Sequence, residues 1–425
     1  MKTSTLEVPF LSKKRIKLAL WQQIIIGLVS GLGAAYFLGE KAANFKFLGT
    51  IFISLIKMVI VPLIFFSVVT AITNMRESKS VSKIAIKSVL TFLLSSVFAV
   101  SIGIITALFL TPGSGKKFTF LKSGVESASS EVPKISDILI NIVPNNIFNS
   151  FAEGNILQIV LFSCLIGTIL NLLGEKTEKV TVIIKEISFV FLKMIEIVVL
   201  IAPFGVFGYI SWTVGTQGFG VLLSLVQLIS TLFTACFIQY LVFGIFIIVF
   251  ARINPIPFYK KMLEPQIVAF STSSSKATLS TTMRTLREKL GVSENSINFV
   301  LPIGSSINMD GGAIYLAVCT MFFAQATGLH FEFQDYCTLV FMCTLGSIGA
   351  AGIPGGILLF LGITFKSLGL PTEAVAIIIS LDCVLDMMTT VINVTGDACV
   401  TLVIDNSEKQ LNYTKYYSST KTNEG

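Results

Sequence analysis

The chain is short of charge. Only 13% of its 425 residues are Asp, Glu, Lys or Arg, while 53% are hydrophobic. A water-soluble globular chain carries about 25% charged and about 45–50% apolar residues. That deficit leaves too little polar surface to face water on every side, and it excludes an ordinary soluble domain. Histidine occurs once, at His330, and the seven cysteines include no Cys-x-x-Cys pair. No zinc or iron site therefore has ligands to draw on. The cysteines lie in or beside apolar stretches and read as free thiols packed like small apolar residues. No His-Glu-x-x-His or Gly-x-Ser-x-Gly motif is present. Asp382 and Asp386 imitate an aspartyl dyad without its flanking motifs, so an enzyme is not expected. The net charge of +7 sits in short loops between apolar runs and does not point to nucleic acid.

What the chain has is long apolar runs. They fall at 18–38, 46–73, 88–110, 155–173, 183–212 and 219–251, each near the roughly 20 residues that a crossing helix needs. The N-terminus is polar and the first run is long enough to span, so no cleavable leader is expected. Lys13, Lys14, Arg15 and Lys17 before the first run place the N-terminus in the cytoplasm by the positive-inside rule. Arg76, Lys79, Lys83 and Lys87, then Lys176 and Lys179, then Arg252, Lys260 and Lys261 keep the alternation. The polar stretch 111–140 is the one long loop and is expected outside.

After residue 255 the pattern changes. The apolar stretch 257–290 is interrupted by Ser271-Thr-Ser-Ser-Ser-Lys-Ala-Thr278, and 337–368 by Ser347-Ile-Gly-Ala-Ala-Gly-Ile-Pro-Gly-Gly356. Each arm is too short to cross, so each element reads as a re-entrant hairpin, the two entering from opposite faces because the span at 296–325 intervenes. Broken segments at membrane depth are tolerated only where they line a cavity or are buried in protein. Two of them, each followed by a long helix, suggest an inverted repeat around a midplane site. The following helices carry Asn308-x-x-Gly311 and Asn393-x-x-Gly396, an echo between the halves.

The last helix also carries Asp382, Asp386, Asn393 and Asp397, at offsets of 4, 11 and 15 residues. At about 100° per residue these share one narrow face. An intramembrane carboxylate costs about 2.5–3.5 kcal/mol on insertion scales, so this set, with Asp310, marks a cation or substrate site. Carboxylate, amide, hydroxyl and freed backbone carbonyl are hard oxygen donors, suited to sodium, although carboxylates serve protons equally. The Ser/Thr tip at 271–275 suits an anionic carboxylate at a half-helix end. A channel is the rival class, but it has no need of a substrate-sized set of opposed hydrogen-bonding groups.

These residues resemble a known family, the dicarboxylate/amino acid:cation symporters, which include glutamate and neutral amino acid transporters. The resemblance covers nearly the whole chain. It rests on Ser273-Ser274-Ser275, Asn308-Met309-Asp310-Gly311, Gly352-Ile353-Pro354-Gly355 and Asn393-Val394-Thr395-Gly396-Asp397. It implies an all-α polytopic fold of eight transmembrane helices plus two re-entrant hairpins, and a homotrimer in the lipid of the plasma membrane (the inner membrane in a bacterium). It further implies an elevator motion. Scaffold spans would then occupy 1–87 and 155–215, joined by the outer loop and the start of span 4 at 111–154. The transport domain would comprise 88–110 and 216–404, with a cytoplasmic tail at 405–425. The resemblance also assigns roles. One sodium would use carbonyls of Gly304, Asn308 and Asn393 with the Asp397 carboxylate, and a second Ser95, Ser96, Asn308 and Asp310. A third would lie near Ser306, Met309, Ser347, Ile348 and Ala350. Substrate would meet Ser273, Ser275, Gly352 and Ile353, with Asp386 on an α-ammonium and Thr390 and Asn393 on an α-carboxylate.

Two positions depart from that pattern. Carriers selective for acidic substrates hold an arginine where Thr389 stands, and its loss argues for a small neutral amino acid. Lys276 follows the serine tip where a small or acidic residue is usual, and Ser280 replaces a proline. Lys276 either snorkels away without a role or supplies the cation missing at 389 and restores acidic substrates. A lysine at that depth requires a partner, with Asp382 and Asp386 the candidates.

Overall fold

The computed structural model describes residues 18, 20–73, 82–115, 140, 142–349, 356–371, 374–379 and 381–418, and the structural statements below concern these. The basic cluster at 13–17, Arg76, Lys79, most of the 111–140 loop and Ala350, Gly352 and Ile353 lie outside them. Among the described residues there is no strand. In lipid the backbone must satisfy its own hydrogen bonds, and helices do so within one segment.

The longer helices in chain order are α1 (Leu20–Leu38), α2 (Lys46–Thr73), α3 (Ser82–Leu110), α4 (Ile156–Leu173), α5 (Glu178–Val199), α6 (Ala202–Gln217) and α7 (Gly220–Phe246). The first hairpin is α8 (Leu263–Thr272) and α9 (Ser275–Glu288), followed by α10 (Glu294–Ile307) and α11 (Asp310–Thr327). The second is α12 (Phe333–Gly349) and α13 (Gly356–Ser367), followed by α14 (Asp382–Ser407) and the short α15 (Tyr413–Tyr417). Five helical runs are long and apolar enough to cross a membrane: Gln22–Thr70, Ile86–Leu110, Gly220–Ala251, Glu294–Thr327 and Val384–Ser407. A bent pair, Gln158–Val199 with Ala202–Gln217, makes a sixth.

The single span expected at 183–212 is instead α5 and α6, inclined by 49° at the break before Pro203. Proline has no N–H and clashes with the preceding turn, so it opens a helix rather than continuing one. Sequence hydropathy runs straight through this bend and gives no sign of it.

Packing falls into two groups. In one, α6 lies along α1 and α2, and α2 also packs on α4 and α5. Gly208 permits the close approach there, because a Cβ would strike the Phe45 carbonyl. In the other group α14 is central, with α7, α8, α10 and α11 against it and α3 against α11. The two runs that carry the acidic motifs are 94% and 89% buried in their apolar windows, against 44% for the runs containing α2, α3 and α7. Phe37, Phe109 and Leu172 on the outer helices are more than four-fifths exposed, as side chains that face lipid should be. Burial thus separates a lipid-facing periphery from a protein-enclosed centre that holds the polar residues.

Candidate functional site

The first hairpin tip and the junction of α10 and α11 each break the regular backbone, whereas α14 runs unbroken from Asp382 to Ser407. At the first tip only Ser273 and Ser274 leave the helix, a narrower interruption than the eight-residue polar run suggested. Ser273 adopts a left-handed conformation (φ 48°) and ends α8. The Ser274 hydroxyl then accepts the Ala277 N–H at 3.2 Å and caps α9. Serine suits this position because its oxygen replaces a missing helical acceptor. Ser275 is buried just inside α9. The open end of the hairpin is tied by Glu264, which pairs with Arg284 and with Lys289 (2.8 Å). Along its length Gln266 donates to Thr395 of α14 at 3.1 Å.

The break between α10 and α11 is also tight, at Asn308 and Met309 only. Around it the two Asn-x-x-Gly motifs interlock reciprocally. Asn308 donates its amide N–H to Asp397 Oδ1 at 3.1 Å. Asn393 in turn accepts the backbone N–H of Gly311 at 2.8 Å, a donor that an unbroken helix would direct to the Ile307 carbonyl. Gly311 has to be glycine because a Cβ would collide with the Thr389 backbone. At Gly304 a Cβ would sit 2.6 Å from Asp397 Oδ1, so the backbone there lies against the carboxylate.

Asp310 is fully buried. Ser95 and Ser96 of α3 donate to its two carboxylate oxygens, Ser96 at 3.1 Å, and Gln239 of α7 lies beside it. Ser96 is also 3.2 Å from the Ser347 hydroxyl on α12, so residues of the expected second and third sodium positions form one chain of contacts. Met309 is buried at the break, Ile348 is half-buried next to Ser347, and the Ser306 hydroxyl donates back to the Pro302 carbonyl at 3.1 Å. Lower on α14, the Thr389 hydroxyl donates to the Asp386 carbonyl (3.2 Å) and lies 3.5 Å from its carboxylate, and Asp382 accepts from Tyr315 at 2.8 Å.

Sequence reading missed Gln239, Tyr315 and Gln266. Gln239 was detectable as one of two amides, with Gln227, within a long apolar run, whereas Tyr315 carries no such mark. The pairing expected for Lys276 is corrected. Its ammonium is directed to Ser67 of α2 at 3.5 Å, while Asp382 is satisfied by Tyr315. Lysine has the reach to turn away from α14, and the Ser67 hydroxyl across the packing boundary receives it.

No cation accompanies the acids: among the described residues none of Asp310, Asp382, Asp386 or Asp397 is in an ion pair. The Asn308 amide oxygen is buried with no hydrogen-bond partner. Carboxylates of Asp310 and Asp397, hydroxyls of Ser95 and Ser96 and this orphaned oxygen are all hard acceptors converging on one break. Such a set lacks a positive charge, and a small hard cation fits it.

Residues 20–407 match the sodium:dicarboxylate symporter family. The chain belongs to that family. It is therefore a symporter-type transporter rather than an enzyme, and an integral membrane protein that crosses the bilayer several times. It is 34% identical to the C4-dicarboxylate transport protein of Paraburkholderia xenovorans over 95% of this chain and 96% of that one. Against the proton/sodium-glutamate symport protein of Bacillus subtilis the identity is 31%, covering 95% and 96% respectively. A C4-dicarboxylate transport protein from Rhizobium leguminosarum is 32% identical over 94% of this chain and 91% of its own length.

Proposed function

We propose that this protein couples the inward flow of sodium, or of protons, to uptake of a small dicarboxylate or acidic amino acid. The observation that carries the coupling is the buried Asp310–Asn308–Asp397 cluster, with two carboxylates, an orphaned amide oxygen and no cation. A site of this kind is completed by the transported ion, and binding of that ion offsets the cost of burying the acids.

The substrate class rests on the relatives, whose names specify C4-dicarboxylates or glutamate. They favour the acidic reading over the neutral amino acid that Thr389 alone suggested. Asp386 supports members of that class bearing an α-ammonium, with Thr390 and Asn393 above it for a carboxylate. Ser273 and Ser275 close the site from the first hairpin, and Gly352 and Ile353 from the second. Gly304 carbonyl and Ser347 complete the ion positions. The working assembly is a homotrimer in the plasma membrane. In each protomer the α14-centred group and both hairpins move as a transport domain against the α1, α2, α4, α5 and α6 scaffold.

Uptake of labelled aspartate into proteoliposomes, challenged with excess unlabelled glutamate, succinate or serine, tests the substrate class. Competition by glutamate or succinate but not serine is expected. Competition by serine alone restores the neutral reading.

A further inference from the structure

Between α2 and α5 on one side and α9 and α10 on the other lies a cavity of about 260 Å³. Its polar lining includes Ser67 and Thr70 from α2, Ser188 from α5, Lys276 from α9 and Asn298 from α10. There is no carboxylate in the lining. Lys276 reaches Ser67 only at 3.5 Å, and Ser67 reaches Ser188 at 3.4 Å, both at the outer limit of a hydrogen bond. The Thr70 hydroxyl is buried with no partner at all. Ammonium has three donors and no acceptor, and here it meets one distant oxygen. A cation, three under-used hydroxyls and no acid are donors waiting for an anion.

We propose that this cavity is a second carboxylate subsite, in which Lys276, Ser67 and Thr70 hold one carboxylate of the acidic substrate outside the α14 cluster. The volume favours a molecule of several heavy atoms over a bare halide, since one water takes about 30 Å³. The subsite lies between the two packing groups, where a substrate released by the first hairpin would pass. It rests on the acidic reading above, and it gives Lys276 a role despite its distance from the aspartates. The positive charge absent at Thr389 stands one step along the path instead of on α14. Charge-assisted bonds from Lys276 supply the affinity, and the hydroxyls supply the geometry.

Equilibrium binding of radiolabelled aspartate and of radiolabelled succinate to the purified full chain, with and without sodium, tests this. The wild type is expected to bind two carboxylates per protomer, one sodium-dependent and one sodium-independent. Lys276→Gln should weaken the sodium-independent site at least tenfold and leave the other unchanged, Ser67→Ala should weaken it several-fold, and Lys276→Arg should restore most of it. Asp386→Asn should do the reverse for aspartate. A single sodium-dependent site in the wild type overturns the subsite while leaving the transport reading intact. Loss of the sodium-dependent site in Lys276→Gln also overturns it, by placing the lysine in the transport site. Absence of sodium-dependent binding with the second site preserved counts against the transport reading alone. Where Lys276→Gln does not fold, Ser67→Ala and Thr70→Val carry the same comparison.

Discussion

Asn308 and Asp397 meet at 3.1 Å, amide to carboxylate, across the break between α10 and α11. The same asparagine leaves its amide oxygen buried and unbonded. One side chain thus holds the carboxylate in place and offers an acceptor beside it. A buried acceptor with no donor costs about 1–3 kcal/mol, and a cation placed there removes that cost.

Asp310 tests this reading of the cluster. Its carboxylate is held by Ser95 and Ser96 and has no cationic partner among the described residues. Asp310→Asn is isosteric but removes the charge, and it should raise the sodium concentration for half-maximal uptake by roughly 10–100-fold, as expected for losing about 1.5–3 kcal/mol of charge-assisted bonding. Sodium titration of uptake measures it. An unchanged half-maximal concentration would remove Asp310 from the ion path.

Asp386 separates two classes of acidic substrate. Asp386→Asn should weaken aspartate by at least tenfold through loss of the contact to its ammonium, and should spare or improve succinate, which has no ammonium. Competition binding of the two ligands to the variant shows which holds. Equal losses for both would make Asp386 structural.

Gly311 is a packing test. Gly311→Ala drives a Cβ into the Thr389 backbone, where no flexible side chain can give way. A loss of about 1–3 kcal/mol is expected, together with impaired substrate binding because Thr390 and Asn393 shift with that backbone. Thermal unfolding of the purified variant and aspartate binding read both effects.

Lys261 ties the C-terminal segment to the first hairpin. Its ammonium is buried and donates to the carbonyls of Lys289 (2.9 Å), Lys415 (2.8 Å) and Tyr416 (2.8 Å). The Tyr416 ring is fully buried, with its hydroxyl on the Asn254 carbonyl at 2.8 Å. Lys261→Met should leave the Lys289 and Tyr416 carbonyls without this donor, while Lys415 keeps Ser418, cost about 1–3 kcal/mol, and expose residues near 408–412 to limited proteolysis. A cleavage pattern identical to wild type would show that Tyr416 alone holds the segment.

Much of this was legible from the sequence, because the rules of a membrane interior are severe. A carboxylate in an apolar run demands a reason, so Asp310, Asp386 and Asp397 stood out before any coordinates. The two Asn-x-x-Gly echoes marked segments that prove to interlock through Asn308 and Asn393. The bend before α6 was not legible, since hydropathy measures apolar length and not direction. Nor was the orientation of Lys276, because a long side chain can reach either of two surfaces and only packing decides. Tyr315 illustrates a third limit: a polar group that satisfies a buried acid from another helix carries no local pattern. The neutral-substrate expectation depended on one departure, Thr389, which full-length relatives outweigh.

The most direct test of the account is substrate-dependent ²²Na⁺ uptake into proteoliposomes at fixed pH, with aspartate as substrate. The account predicts sodium entry that rises with aspartate and falls away in Asp310→Asn and Asp397→Asn. Aspartate flux that proceeds with neither sodium nor proton entry, and survives both substitutions, would contradict it.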